Sequence, residues 1–488
     1  PMSALAQPTT RPNVLLIISD DLSTIALPSY GNRVVKTPNI DRLAARGVRF
    51  ERAYCQYPLC LPSRNSFLSG LRPDDRFGHS DLLRNHVPGV EFLPEHFRKA
   101  GYFTARIGKI FHTRTIFSGA TTLDDPACWD QQDLAGIPID PCGYGVIYSQ
   151  WPKGLPAHPE VQPFVLDEEL LYKAGMPAYD YWMDRSILKS GTDTTDANVA
   201  RKTVELLDAQ VKPRGAGSTG AATRPFFIAA GFRRPHLLWV APEEAFAMYD
   251  PKTIELADEP KRDPSVPKEA YTRGTKGMSD EQRKRAIASY YACVSHMDKQ
   301  LGVVLDAMDR DGLWENTIVI FTSDHGWHLN NHEGLFGKVS LFQESAKVPL
   351  IVAGPGIKAG VSPRTVEMVD FFPTLCEMAG LAPPKKTDGK SLVPLLRDPK
   401  AAWEMPAYSV LRRGKTWGKA VYIEDYRYTE WGDDASKGAE LYDLKSDPQE
   451  FKNLATDPSH EMIRGKLKEL LREGVHVRDT DEGKITAE

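Results

Sequence analysis

Two pairs of neighbouring side chains in this 488-residue chain are of the types that a metal site needs. Asp20-Asp21 follows the apolar run 13–19, and Asp324-His325 follows the apolar run 317–322, so both pairs should emerge from buried strands at one edge of a sheet. Alone, Asp20-Asp21 also reads as a solvated turn. The second acidic group shifts the balance, because three crowded carboxylates need a cation. Their oxygens favour a hard divalent ion, Ca²⁺ or Mg²⁺, and a single imidazole is too little to argue for zinc. A third signal is Cys60-Leu61-Pro62-Ser63-Arg64, followed by Leu68-Ser69-Gly70. Pro62 suits the first turn of a helix. That puts residue 60 at a helix N-terminus, where backbone N–H groups and the dipole favour an anion.

The elements that must carry these residues follow from the pattern of apolar residues. The continuous β-branched run 13–19 reads as a strand buried on both faces, and 102–107, 226–229, 317–322 and 348–352 are further strands of this kind. Helices are expected over 40–46, after Pro38 and before Gly47, and over 93–100, ended by Gly101. The alternation predicts an α/β fold: a large mixed, mostly parallel sheet with helices on both faces. A long helix near 281–309 carries Ile287, Tyr290, Val294, Met297, Leu301, Val304, Leu305 and Met308 at spacings of three and four, which is a core stripe. Residues 113–190, rich in Pro, Gly, Asp and Trp, predict long loops over a binding face. After Pro383-Pro384 come short strands at 407–411, 420–423, 426–431 and 440–444 and a helix at 461–472. The expected organisation is a tail at 1–12, the site-bearing domain at 13–384, and a small α+β subdomain at 385–488.

Composition excludes other classes. With 41% hydrophobic and 26% charged residues the chain is an ordinary folded protein, and 61 Lys+Arg against 65 Asp+Glu gives a net charge of -4, with no general attraction to nucleic acid or anionic membrane. The apolar run 14–18 falls far short of the roughly 18–20 residues of a membrane span. Residues 3–7, Ser-Ala-Leu-Ala-Gln, read like the small-residue end of an export signal, which predicts a periplasmic or secreted protein. The six cysteines form no CxxC pair, so no zinc ribbon is expected; in an exported protein, Cys128 and Cys142 are the expected disulfide. No heptad or edge-strand signal demands assembly, so a monomer or weak oligomer is expected.

The motif at 60–64 resembles the signature of the formylglycine-dependent sulfatases of the alkaline phosphatase superfamily. The resemblance extends in order through Arg11 to Asp21, residues 37–41, Gly101-Tyr102 to Gly108-Lys109, residues 324–328 and residues 348–351. Residues 108–112 and Asp324-His325 look closest to the iduronate-2-sulfatase branch and its bacterial polysaccharide-sulfatase relatives. The resemblance implies that Asp20, Asp21, Asp324, His325 and an oxygen of residue 60 bind one Ca²⁺, and that a maturation enzyme converts Cys60 to formylglycine. A hydrated aldehyde offers two hydroxyls on one carbon: one attacks sulfur and the alcohol leaves, and deprotonation of the other expels sulfate. His112 is then the candidate base, with Lys109 nearby to hold charge. Arg64 would stabilise the nucleophile and the sulfate oxygens, His236 would be the general acid at the leaving oxygen, and Lys338 would neutralise the transferring group.

Two departures stand out. Asn330 to Gly334 is one residue longer than the family segment, and a Pro usual after the histidine is replaced in His236-Leu237-Leu238-Trp239. For substrate, Arg233, Arg234 and Trp327, with Trp129, Tyr144, Tyr148 and Trp151 on the loops, could line a cleft for an anionic sugar. That predicts a sulfated polysaccharide, with the 2-O-sulfate of a terminal uronic acid as the target. Another glycan position, an aryl or choline sulfate, or a phosphonate or phosphate diester are the alternatives. An inactive glycan-binding protein would not require Asp20, Asp21, Arg64, Lys109, His112 and His236 together.

Overall fold

A computed structural model describes residues 11–78, 82–112, 124–133, 194–211, 224–237, 239–272 and 278–477, and the backbone of 185–188. Strands β1 (Asn13–Ser19), β2 (Val48–Tyr54), β3 (Phe103–Gly108) and β4 (Gln131–Asp133) alternate with helices α1 (Pro38–Arg46), α2 (Cys60–Ser69) and α3 (Leu93–Lys99). Strand β5 (Arg185–Leu188), helix α4 (Thr195–Val211), and strands β6 (Phe226–Phe232) and β7 (Val240–Pro242) lead to α5 (Asp280–Arg310). Then come β8 (Thr317–Ser323), β9 (His328–Asn330), β10 (Leu335–Gly337), β11 (Lys347–Ala353), β12 (Gly360–Glu367) and α6 (Phe371–Met378).

The main sheet runs β12-β2-β11-β8-β1-β6-β3-β4, and only β11 is antiparallel to its neighbours. It is the mixed, mostly parallel sheet expected from the sequence. Alternate β1 side chains serve two cores, as a sheet covered on both faces requires. Leu15 and Ile17 pack with Val199 of α4 and Tyr290 and Leu301 of α5, whereas Val14, Leu16 and Ile18 pack with Phe67 of α2, Phe97 of α3 and Phe372 of α6. The stripe expected on the long helix lies in the first core, and Ser279 caps that helix by accepting from the Gln282 amide.

Register sets the level of the site. Ser19 stands opposite Phe232 on one side and Ser323 on the other, so Asp20, Arg233 and Asp324 leave the sheet together. Gly108 stands opposite Gly231, and the chains approach so closely that a Cβ on Gly231 would lie 2.0 Å from the Lys109 carbonyl oxygen.

The C-terminal strands β13 (Ala407–Arg413), β14 (Thr416–Tyr422), β15 (Tyr426–Trp431) and β16 (Gly438–Asp443) form an antiparallel meander. Helix α7 (Glu461–Gly474) covers it with Leu467 and Leu471. Strands β2 and β12 and helix α4 escaped the reading of periodicity; β2 mixes buried with half-buried polar residues and lacks a continuous apolar run. No helix among the described residues is long and apolar enough to cross a membrane.

Trp129, expected on a cleft, is instead buried in the second core against Phe227. Cys128 is a buried free thiol, and its expected partner Cys142 lies outside the described residues. Most of the expected loop region 113–190, with Tyr144, Tyr148 and Trp151, and residues 1–10 of the tail also lie outside them.

Candidate active site

Five strand ends and one helix N-terminus converge at the edge where the parallel strands finish, the position at which open α/β sheets build ligand sites. Helix α2 begins at residue 60, with Pro62 in its first turn, and Gly70 ends it in the left-handed region at φ 70°. The Cys60 thiol is 2% exposed and lies 3.2 Å from His325 Nε2, 3.7 Å from Asp21 Oδ1 and 3.0 Å from Lys338 Nζ. Burial would raise its pKa, but Lys109 and Lys338 pull it down to about 7.

The adjacent aspartates differ sharply. Asp20 is saturated: Arg64 donates to Oδ1 at 2.9 Å, Arg233 to Oδ2 at 2.8 Å, and Lys109 Nζ to both oxygens at 2.9 and 2.6 Å. Burial opposes its charge, yet Lys109, His236, Arg64 and Arg233 hold its carboxyl well below the usual range. Asp21 has one strong partner, Lys338 Nζ at 2.7 Å from Oδ1, while Oδ2 is buried with no hydrogen-bond partner and His236 Nε2 stands 3.9 Å away. Burial raises the Asp21 pKa to about 7. Its backbone adopts φ 65°, a left-handed turn that aspartate tolerates better than most residues.

Asp324 accepts Arg64 Nε at 3.0 Å and the Asp21 and His325 amides at 3.1 and 3.2 Å. Burial opposes ionisation there too, and Arg64 and His325 overcome it. Burial would lower the His325 pKa, but Asp324 and Cys60 raise it to about 9, and Nδ1 bonds to the Gly326 carbonyl at 3.0 Å.

Ligand atoms of Asp21, Cys60, Asp324 and His325 all lie within 4.8 Å of one another. Asp20, expected in that set, is not among these four, and its oxygens accept from Arg64, Lys109 and Arg233. An orphaned buried carboxylate oxygen, a second carboxylate and an imidazole turned inward fit a hard divalent cation.

Arg64 lies among the site carboxylates. Nε and one terminal nitrogen bind Asp324 and Asp20, and the other binds the Lys109 and Ile110 carbonyls at 2.8 Å each. With no exposure it braces the two carboxylates. The pair Arg233 and Arg234, expected to read an anionic sugar, is also turned inward, each 5% exposed. Arg233 binds Asp20, Arg234 donates to the His236 carbonyl at 3.1 Å, and their amides donate to Asp196 at 2.6 and 3.0 Å. Trp327 is 4% exposed and stacks edge-on against Trp239 at 6.3 Å, with Lys338 Nζ 5.7 Å above its ring. Among the described residues it packs beneath Lys338.

The remaining expected residues do reach the site. Burial, then Lys109, pushes the His112 pKa well below its usual value, and its Nδ1 is buried without a partner. Burial, then Arg233, does the same to His236, whose Nδ1 bonds to the Leu237 carbonyl at 2.6 Å and leaves Nε2 toward Asp21. Lys338 reaches Asp21 and residue 60, and before β10 Asn330, His332 and Glu333 take positive φ values of 74°, 51° and 61°. His332 itself turns away, stacked on Phe342 at 3.9 Å and 3.3 Å from Glu344.

Sequence reasoning missed several supports. Tyr290, read as core, is core and also donates to the Asp21 carbonyl at 2.6 Å. Ser63 Oγ donates to the Asp324 carbonyl at 2.5 Å, a role its place in the 60–64 motif could have suggested. Asp196, 1% exposed at the start of α4, carried no local signal.

Known proteins resemble this chain over most of its length. Residues 12–381 match the family model described as sulfatase, and residues 331–476 match the C-terminal model of N-sulphoglucosamine sulphohydrolase. A sulfatase of Formosa agariphila is 30% identical over 94% of this chain and 86% of its own. The iduronate 2-sulfatase of Mus musculus is 30% identical over 92% of this chain and 91% of its own. Among solved structures, a phosphonate monoester hydrolase of Silicibacter pomeroyi aligns with TM-score 0.71 and 22% identity over 95% of each chain, which establishes the shared fold.

Proposed function

The chain belongs to the sulfatase family and is a sulfuric ester hydrolase, and from that premise we propose that it removes the 2-O-sulfate of uronic acid residues in sulfated polysaccharide, using formylglycine at position 60 and one calcium ion. The observation that carries the reaction is the position of residue 60: the first residue of α2, sealed from solvent, and flanked by Lys338 Nζ at 3.0 Å and His325 Nε2 at 3.2 Å. The choice of substrate rests on the similarity to the mouse iduronate 2-sulfatase.

Asp21, Asp324, His325 and residue 60 would hold the calcium, with Asp20 fixing the cations behind them. Calcium, when bound, supplies a hard positive charge that balances the two carboxylates and draws electron density from the ester oxygens. Formylglycine, once formed, supplies two hydroxyls on one carbon, one to take up the sulfuryl group and one whose deprotonation releases it.

The chain's own residues perform the proton work. Lys338 donates into the space of the residue 60 side chain and balances charge on the transferring group. His112, kept neutral by burial and Lys109, offers the unpartnered Nδ1 as a base for the second hydroxyl. His236 donates from Nδ1 to the Leu237 carbonyl, so a proton destined for the leaving oxygen must be carried on Nε2. The negative charge of a bound sulfate ester favours that protonation. Lys109 stays with Asp20 as a fixed positive charge.

The test is sulfate release, with calcium present, from unsaturated disaccharides bearing one sulfate at the 2-, 4- or 6-position, using protein whose residue 60 is shown by peptide mass to be formylglycine. Release from the 2-sulfated uronate alone, abolished by Cys60→Ala, is expected. Release only from a 4- or 6-sulfate overturns the choice of position. No release from any disaccharide overturns the uronate reading and directs the assay to aryl sulfates, choline sulfate and phosphonate esters.

A further inference from the structure

The two segments that deliver residue 60 and Lys338 to each other are held by one strand of the C-terminal subdomain. Strand β13 runs along the approach to α2: Ser409 Oγ donates to the Cys55 carbonyl at 2.6 Å, and the Val410 amide donates to the Gln56 carbonyl at 2.9 Å. The Arg412 amide donates to Tyr57 Oη at 3.0 Å. The same strand ends at Arg413, whose guanidinium donates to the Val339 carbonyl, while the Val339 amide donates to the Pro58 carbonyl at 3.1 Å. Val339 is therefore gripped from both sides, by the residue two before position 60 and by the subdomain.

Val339 needs the grip. It follows Lys338 directly and has φ 70°, in the left-handed region, where a β-branched residue is a steric outlier. Such a conformation persists only when its surroundings enforce it. In its ordinary extended or right-handed conformation, the chain at 339 would redirect the preceding Lys338 away from Asp21 Oδ1 and position 60, which it now reaches at 2.7 and 3.0 Å. Arg413 is also half-buried, and its other bond is to a carbonyl, that of Glu269 at 3.3 Å from Nε.

We propose that Arg413 is a positioning residue of the active site: by holding the Val339 carbonyl it enforces the left-handed turn that aims Lys338 at residue 60, so the C-terminal subdomain sets the catalytic geometry. This rests on the reading of Lys338 given under Proposed function. Arg413 does not touch the reacting atoms, and its effect passes entirely through the 338–339 backbone.

Four full-length proteins test it: Arg413→Ala, Arg413→Lys, Val339→Gly, and the Arg413→Ala/Val339→Gly double variant, each compared with the parent in thermal melting and in hydrogen exchange of the peptide spanning 336–342. That exchange needs no substrate, metal or maturation. Expected for Arg413→Ala are faster exchange in 336–342 with no change in the β8 peptide 317–323, and, on the sulfated disaccharide the parent hydrolyses, a fall in kcat of about ten- to a hundredfold with KM little changed. Arg413→Lys, which keeps one donor in reach, should recover part of both. Val339→Gly removes the steric conflict, so adding Arg413→Ala to it should cost kcat less than about threefold. Unchanged exchange at 336–342 in Arg413→Ala, or an equal loss of kcat whether residue 339 is valine or glycine, overturns the proposal. Absence of turnover in the parent overturns the functional reading, and the exchange data still decide whether Arg413 holds the turn.

Discussion

Adjacent aspartates should respond in opposite directions to the same isosteric change. Asp20 accepts four bonds from three buried cations, Arg64, Lys109 and Arg233, and has no exposure. In Asp20→Asn the amide NH₂ must face at least one of these donors, and three cations lose a carboxylate partner, Arg64 keeping Asp324. Removing one member of a buried ion network costs about 3–5 kcal/mol. Asp21 is buried to the same degree, but Oδ2 has no partner, and burial lifts its pKa from 3.8 to about 7. At pH 8 and without metal its ionised form is held against a penalty of about 4 kcal/mol. Asn retains an oxygen to accept Lys338, and the loss of that attraction offsets part of the relief. Asp21→Asn should therefore be neutral or stabilising by about 1–2 kcal/mol in the metal-free protein. The assay is urea denaturation of the chelator-treated protein at pH 8, followed by tryptophan fluorescence, comparing midpoints at matched slopes. Adding calcium should stabilise the parent, by about 2.7 kcal/mol at a hundred times its dissociation constant, and should stabilise Asp21→Asn far less. Equal destabilisation by both substitutions without calcium would refute the division of labour between the two carboxylates.

Three further outcomes are expected. Burial holds the His296 pKa near 3, against 6.5 when unfolded, so its stabilising share is present above 6.5 and is lost as pH falls toward 3; acidifying from pH 6.5 to 5 should cost about 2 kcal/mol from this residue, and His296→Gln should remove that slope in urea titrations at each pH. Gly231→Ala puts a Cβ 2.0 Å from the Lys109 carbonyl oxygen, so β3 and β6 must separate; loss of soluble protein, or at least a tenfold or so lower kcat in what remains soluble, is expected, and full activity would show that the strands yield freely. Asp196→Ala removes the acceptor for the Arg233 and Arg234 amides, and should lower kcat by about tenfold while the thermal midpoint moves by only a few degrees.

Much of this protein was legible in its sequence. Asp20-Asp21 and Asp324-His325 could be paired because each directly follows a continuous apolar strand, and strands of a parallel sheet end at one edge whatever lies between them. Residue 60 could be placed at a helix start because Pro62 and Gly70 punctuate the helix locally. The long core stripe on α5 likewise needs only its own periodicity. Strand β2, helix α4 and the contact of β13 with residues 55–57 gave no comparable signal, since their burial comes from partners distant in sequence.

The sequence by itself determined which residue types meet at the strand ends, since strand, turn and helix signals act over a few neighbours. Tertiary structure alone decided what each one does there. It made Asp20 a counterion and left Asp21 Oδ2 buried without a hydrogen-bond partner, turned Arg64, Arg233 and Arg234 inward, and put Lys338 in place through a left-handed valine held by Arg413. The physical reason is that a carboxylate's role depends on how many buried cations reach it. That number is fixed by register and packing between residues as far apart as 21 and 338, which no local pattern records.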